Sequence, residues 1–455
     1  MARASAAGPS RPDPGLVTAG SAHGAMGTNS SGLPISSADD EVAAALCRFE
    51  HDFQWFLDGA ADVVDLAERE PRCVLAQIYA AAIQLYSQAE PQITAGARPL
   101  LARASQLLDG ATDRERALFT AVDAWARFDL GAAATAFQHL VDRWPQDVAA
   151  VKLAEFVFFE APDYPRHLRL METAAPANAS LPYFGAMHAF AHELNGHYDE
   201  ALRLAENAVA DEPDTPWAHH ALGHLYLNTG RIAEGTAALT GFAPGWDGHN
   251  QGIRAHNAWH LALLHLAAMD LEATLGVYRS HIAQVVPDSV FEHTDEISLL
   301  WRLELVGHPV GPELWAPLLP YARERAGDIV APFLNAHYVY ALTRAGEGRT
   351  ARRAIELVSQ RVDAGRDPWR TGLPLLHGVA ALAEDDLEDG LAALEPIRGT
   401  LRCVGGSDAQ NDLFSQATIV ALARSGRADR AAALVRERTA GRRPTPQEQT
   451  WLAIA

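Results

Sequence analysis

The chain is predicted to be all-α, an α-solenoid of helical hairpins curled around a central groove. Three observations predict it. Apolar residues recur at helical spacing from Asp39 almost to the C-terminus, while the strict alternation of a half-buried strand is nearly absent. The breaks are short and made of Pro, Gly or Asp, as at Glu70-Pro71, Glu90-Pro91, Asp109-Gly110, Trp144-Pro145, Glu212-Pro213, Gly346 and Gly426. A length of 455 residues with 48% apolar content suits either a few globular domains or one continuous solenoid.

The first 37 residues are rich in Ala, Gly, Ser and Pro and have no apolar h-region, so they do not read as a secretory signal. Residues 1–38 are expected to be a disordered leader and 39–455 the solenoid.

An internal period tests the solenoid directly. The tetratricopeptide repeat spans ~34 residues, with small residues at its eighth and twentieth positions and Pro near its thirty-second. Anchored on Pro145, Ala121 and Ala133 fall at the two small positions, with Phe137 at the aromatic one. Anchored on Pro213, Ala189 and Ala201 take them, with the turn Gly196-His197-Tyr198 between. In the next period Leu222, Gly223, Tyr226 and Gly235 are again in phase. The segments 333–360, 375–398 and 412–437 have hairpin length but a weaker match.

The net charge of −20 argues against nucleic acid and against an anionic membrane surface as partners. No apolar run reaches membrane-spanning length. Cys47, Cys73 and Cys403 are too few and too scattered for a disulfide framework or a zinc ribbon, which fits a reducing, cytoplasmic setting. Lys152 is the single lysine and lies in an ordinary apolar segment, so Schiff-base chemistry is discounted.

Chemistry concentrates between Trp217 and His265. Seven of the 19 histidines of the chain fall there. His220 and His224 are one helical turn apart, and so are His256 and His260, so each pair shares a helix face. The first helix of each repeat lines the concave wall, which puts His220 and His224 toward the groove. An insertion of about four residues precedes His256, leaving the direction of the second pair open. It also lays a loop with Trp246, Asp247 and His249 near the groove mouth.

At this point the sequence resembles the bacterial relatives of the tetratricopeptide repeat protein 38 family. The likeness rests on W-A-H-H-A-L-G-H at 217–224, H-N-A-W-H-L-A-L at 256–263, T-D-E-I-S-L-L-W-R-L-E-L at 294–305 and G-G-S-D-A-Q-N-D at 405–412. D-R-E-R-A at 113–117 and W-P-Q-D-V-A-A at 144–150 add to it. The chain departs from the family pattern at Leu227, Asn335 and Asn411, where the family has charged residues. The resemblance implies the fold more than an activity.

Catalytic candidates are His220, His224, His256, His260, Asp295 and His337. Candidates for substrate contact are Trp217, Trp246, Trp259, Arg302, Ser407, Gln410 and Asp412. The four clustered imidazoles could ligate zinc, iron or copper, but no carboxylate stands in the set and Leu227 replaces the nearest Glu, so no metal and no other cofactor is assigned. A polar groove in which one His acts as acid or base is the better expectation. Asp295 could equally cap its helix, and Ser407 or Asp408 could cap the helix after the Gly-Gly turn, which leaves Gln410 and Asp412 for function. His192-Glu193 lacks the second His of a zinc-protease motif, since Gly196 occupies that position.

Two functions follow. One is a small-molecule pocket that binds and transforms its ligand, with hydrolysis, elimination and rearrangement all open, so that enzyme activity itself is undecided. The other is a non-catalytic repeat scaffold that binds a partner peptide or protein. Imidazoles in the groove, with the only Lys outside it, favour the first.

Overall fold

The computed structural model describes residues 27–283 and 289–454. Among them the only β-pairing is one isolated bridge, Thr28 with Pro34. The rest is helical: α1 Asp40–Gln54, α2 Asp62–Arg69, α3 Val74–Tyr86, α4 Arg98–Ser105, α5 Asp113–Ala126, α6 Leu130–Arg143, α7 Val148–Glu160, α8 Tyr164–Asn178, α9 Pro182–Leu194, α10 Tyr198–Asp211, α11 Pro216–Thr229, α12 Ile232–Phe242, α13 Gln251–Ala267, α14 Leu271–Val277, α15 Val290–Leu305, α16 Pro312–Trp315, α17 Leu319–Arg325, α18 Pro332–Arg344, α19 Gly348–Arg361, α20 Trp369–Ala383, α21 Leu387–Leu394, α22 Asp408–Arg424, α23 Ala428–Arg438 and α24 Pro446–Ile454.

Local sequence explains the boundaries. Thr112 and Glu115 form a reciprocal capping box at the start of α5. Asp129, Asp147 and Asp163 accept backbone N–H groups at the starts of α6, α7 and α8. Pro182 and Pro216 open α9 and α11 one ~34-residue period apart. Gly230 closes α11 at φ 70°, a left-handed position suited to glycine. Ala121, Ala133, Ala189 and Ala201, the small residues of the period, are fully buried where neighbouring helices meet.

The solenoid curls until distant parts touch. His249 Nδ1 lies 2.8 Å from the Trp55 carbonyl, and the Asn250 amide donates to the Phe56 carbonyl at 2.6 Å. On the other side the Glu90 amide donates to Asp328 at 3.3 Å, and Glu90 pairs with Arg361. Helix α22 packs against α11 and α15. A partly open cavity lies beside these helices.

The boundary of the leader is corrected. Residues 1–26 lie outside the described residues, but residues 27–37 are docked on α1 and α5. Ile35 is fully buried. Asn29 and the Ser30 amide donate to the buried Glu50 at 3.1 and 2.9 Å, and the Ser36 amide donates to Glu115 at 3.0 Å. Composition alone missed this, because the arm is held by polar pairing with distant carboxylates and by few apolar side chains.

Candidate functional site

Helices α11 and α13 run side by side, and both histidine pairs point into the same seam. The rings of His220 and His224 are 4.5 Å apart, His256 and His260 4.8 Å, His220 and His260 5.0 Å, and His224 and His260 4.6 Å. The direction of the second pair, open in the sequence, is thus fixed by packing. Gly223 makes it possible: a Cβ there would stand 3.1 Å from the His260 Cβ. The 3₁₀ segment Ala243–Gly248, about two turns long, lies within the insertion ahead of α13.

The cluster is buried and poor in hydrogen bonds. His220 is 2% exposed, and His224 and His260 are fully buried. Burial holds the imidazoles of His220 and His260 well below their usual range, and the neighbouring rings add to it, so both are neutral. His220 Nδ1 and both ring nitrogens of His224 and His260 have no hydrogen-bond partner among the described residues. His224 Nδ1 is 3.5 Å from the buried Glu193 Oε1, an ion-pair distance without hydrogen-bond geometry. His256 differs: its Nδ1 lies 2.7 Å from Asp295 Oδ2 on α15. A proton on Nδ1 donated to that carboxylate leaves Nε2 as a lone-pair donor.

Above the cluster lies a cavity of about 210 Å³. Its walls are mainly aromatic, with Tyr86, Phe156, Phe190, Trp217 and Phe291 among them, and its polar points include His220, His256, Glu155, Asn250, Ser407 and Gln410. Trp217 stacks on His220 at 4.1 Å and donates its Nε1–H to Glu155 at 3.0 Å. Lys152 sits behind this wall, its Nζ 4.1 Å from the Phe56 ring, 4.3 Å from the Trp217 ring and 3.4 Å from Glu155 Oε2. Burial lowers the Lys152 ammonium and raises the Glu155 carboxyl, each opposed by the other's charge.

Residues 194–241, which run from the end of α9 through α12, match the family model described as tetratricopeptide repeat. The chain carries the tetratricopeptide repeat. The matched segment contains α10, α11 and α12, so the repeat itself presents His220 and His224 to the seam. The lone lysine, set aside on sequence grounds as ordinary, backs three residues of the cavity wall, Phe56, Trp217 and Glu155. Its uniqueness in an arginine-rich chain was the available signal. Glu155, Glu193 and the wall residues Phe156 and Phe190 had no sequence signal of their own, since each reads as one more helical position.

The repeat scaffold brings together some of the expected residues and separates others. His220, His256, Trp217, Ser407 and Gln410 share the cavity. Asp295 stands behind His256 and Trp259 stacks on that ring at 5.4 Å, one layer back. His337 is not in the cavity. It is fully buried beside Phe333, with its Nδ1 2.8 Å from the Phe333 carbonyl. Trp246 is also elsewhere, 1% exposed and donating to His219 Nδ1 at 3.2 Å. Asp412 pairs with Arg438 in a separate polar pocket, which Arg302 also lines. Arg302 donates to the Ala409 carbonyl at 2.8 Å and covers Trp259, tying α15 to α22, and burial lowers its guanidinium to about 9.

Capping explains more of the Gly-Gly-Ser turn than the sequence allowed. Ser407 accepts the Gln410 amide at 3.2 Å, and the Gln410 side chain accepts the Ser407 amide at 2.9 Å. The departures from the family pattern also have local employment. Asn411 donates to the Gly405 carbonyl at 2.8 Å, and Asn335 donates to the carbonyls of Ala326 and Asp328, both at 2.9 Å. Leu227 lines the separate polar pocket.

Proposed function

We propose that the curled repeat encloses a small, largely apolar molecule in the cavity above His220 and His256 and alters it there by proton transfer. The carrying observation is one cavity in which aromatic walls meet two imidazoles and Glu155. Aromatic walls with a few convergent polar groups suit a ligand with one oxygen or nitrogen function at one end. A neutral imidazole at the floor can accept a proton from that function. The alternative, a non-catalytic scaffold for a partner peptide or protein, is compatible with the repeat itself, and the polar groups set among aromatic walls favour the first reading.

We place the chain, on the same grounds, as a diverged relative of the tetratricopeptide repeat protein 38 family. The four sequence tracts behind that resemblance lie on α11, α13, α15 and the start of α22, the elements packed around the imidazoles. A shared site would hold such tracts in common.

The test is native mass spectrometry of the full chain after incubation with a metabolite extract. Gly252 lines the cavity, and a Cβ there meets nothing closer than Asn250 Oδ1 at 3.5 Å, so Gly252→Leu fills the space without moving the helix. A small molecule retained by the natural chain and lost from Gly252→Leu is expected. No retained molecule, or equal retention by both, removes the proposal.

A further inference from the structure

The unsatisfied nitrogens under the cavity point to a second occupant. A buried polar atom left without a partner costs ~1–3 kcal/mol. Five such atoms gather here: His220 Nδ1 and both nitrogens of His224 and of His260. Imidazoles could satisfy one another, yet no hydrogen bond links any two of these rings. One cation answers part of the set, because it can take one lone pair from His220 and one from His260 at once.

Two further features fit a cation. Ligand nitrogens of His220, His256 and His260 all lie within 4.8 Å of one another. His256 is backed by Asp295 at 2.7 Å, the carboxylate–imidazole arrangement that orients a metal-bound His and raises its basicity. That supplies the carboxylate whose absence from the histidine set weighed against a metal in the sequence. Of the charges nearby, Asp295 stands behind His256, Glu193 faces the neighbouring His224 and Lys152 is paired with Glu155, while the buried Arg302 opposes with a positive charge toward His260.

We propose that His220, His256 and His260 bind one divalent first-row transition ion of the zinc class, with Asp295 orienting His256 and one coordination position open to the cavity. Imidazole nitrogen suits such ions, and three protein ligands with an open fourth position is the pattern of reactive zinc sites. At a metal–nitrogen distance of ~2.0–2.1 Å, tetrahedral ligands stand about 3.4 Å apart, so loading draws the three rings inward by up to about 1 Å. The open position follows from which rings reach the cavity: His220 and His256 line it and His260 lies beneath. An ion here takes the lone pairs of His220 and His256, so those imidazoles cannot also accept a proton and Glu155 is the base left at the cavity. The ion site does not require the cavity to hold an organic ligand.

The experiment titrates chelator-stripped full-length protein with Zn²⁺, and with Co²⁺ as a spectroscopic probe. One equivalent bound is expected, with visible Co²⁺ bands of a low-coordinate site. Asp295→Asn should weaken binding 10–100-fold. His260→Gln should abolish the stoichiometric site, whereas His192→Gln, in the separate group His188, His192 and His197, should not change it. If His260→Gln fails to fold, the natural chain and Asp295→Asn decide the matter. No tight equivalent in the natural chain, or one that Asp295→Asn and His260→Gln leave intact, overturns the site. Gly252→Leu separates the two proposals, because it should exclude the small molecule and keep the ion.

Discussion

His256 Nδ1 and Asp295 Oδ2 meet at 2.7 Å across the packing of α13 on α15, with the carboxylate 2% exposed. A buried carboxylate that loses its partner is left uncompensated. Asp295→Ala is expected to destabilise the fold by ~1–3 kcal/mol, and His256→Ala by a similar amount. The double variant should cost clearly less than the sum. Urea denaturation of the four proteins measures the coupling, and strict additivity would show that the pair is only adjacent.

Lys152 and Glu155 make a second coupled pair, both almost wholly buried. Lys152→Met removes the charge that balances Glu155 and should cost ~3–5 kcal/mol. Adding Glu155→Gln should recover much of that loss, since a neutral amide can still accept from Trp217. Thermal melts of the single and double variants check it; a double variant less stable than Lys152→Met contradicts the pairing.

The glycines of the repeat seam should differ in tolerance. A Cβ on Gly235 would stand 2.5 Å from the Tyr226 Cβ, whereas on Gly223 the nearest atom is 3.1 Å away. Gly235→Ala should lose ~1–3 kcal/mol through overpacking, more than the helix propensity of Ala returns. Gly223→Ala should cost less in stability. Denaturation midpoints of the two variants give the order.

Deleting residues 1–38 should lower the melting temperature, while deleting only 1–26 tests the segment outside the described residues. The longer deletion strips Glu50 of its Asn29 and Ser30 donors and uncovers the face that Ile35 covers. Loss of those interactions is expected to cost several kcal/mol, at ~1–3 for each buried group left unpaired. An unchanged melting temperature for the longer deletion would mean the arm contributes nothing.

Stability should fall in acid, with a definite shape. Burial lowers His167 and His337 to about 3 and His219 to about 4. Below the ordinary histidine value the unfolded chain binds protons that the folded chain does not, so these groups lose stability as pH falls from about 6.5 toward 3–4. Glu160 and Glu296, raised to about 7 by burial, act oppositely. Their contribution is complete below the ordinary carboxyl value of about 4.3 and is lost as pH rises through 7. The two sets partly offset each other between about 4.5 and 6.5, so the decline should steepen below 4.5. Urea midpoints at several pH values show it, and His167→Leu should flatten the acid limb by close to one proton.

The helical class, the ~34-residue register and the gathering of histidines in the Trp217–His265 stretch were all legible in the sequence. These are properties of spacing along one helix or between consecutive helices. Ala121, Ala189 and Gly223 can be placed by counting, because a repeat buries the same positions each time. The pairing of His220 with His224 was legible for the same reason, since one helical turn fixes a shared face. What counting could not supply was the company each residue keeps across the curl. Asp295 reaches His256 while His337 turns away to Phe333, and Lys152, the only lysine, sits behind the wall residues Phe56 and Trp217. Those outcomes depend on small rotations between successive hairpins that add up over the solenoid, and on polar contacts such as His249 with the Trp55 carbonyl that close it. Local periodicity sets which face of a helix is buried; only the accumulated tertiary geometry sets what it is buried against.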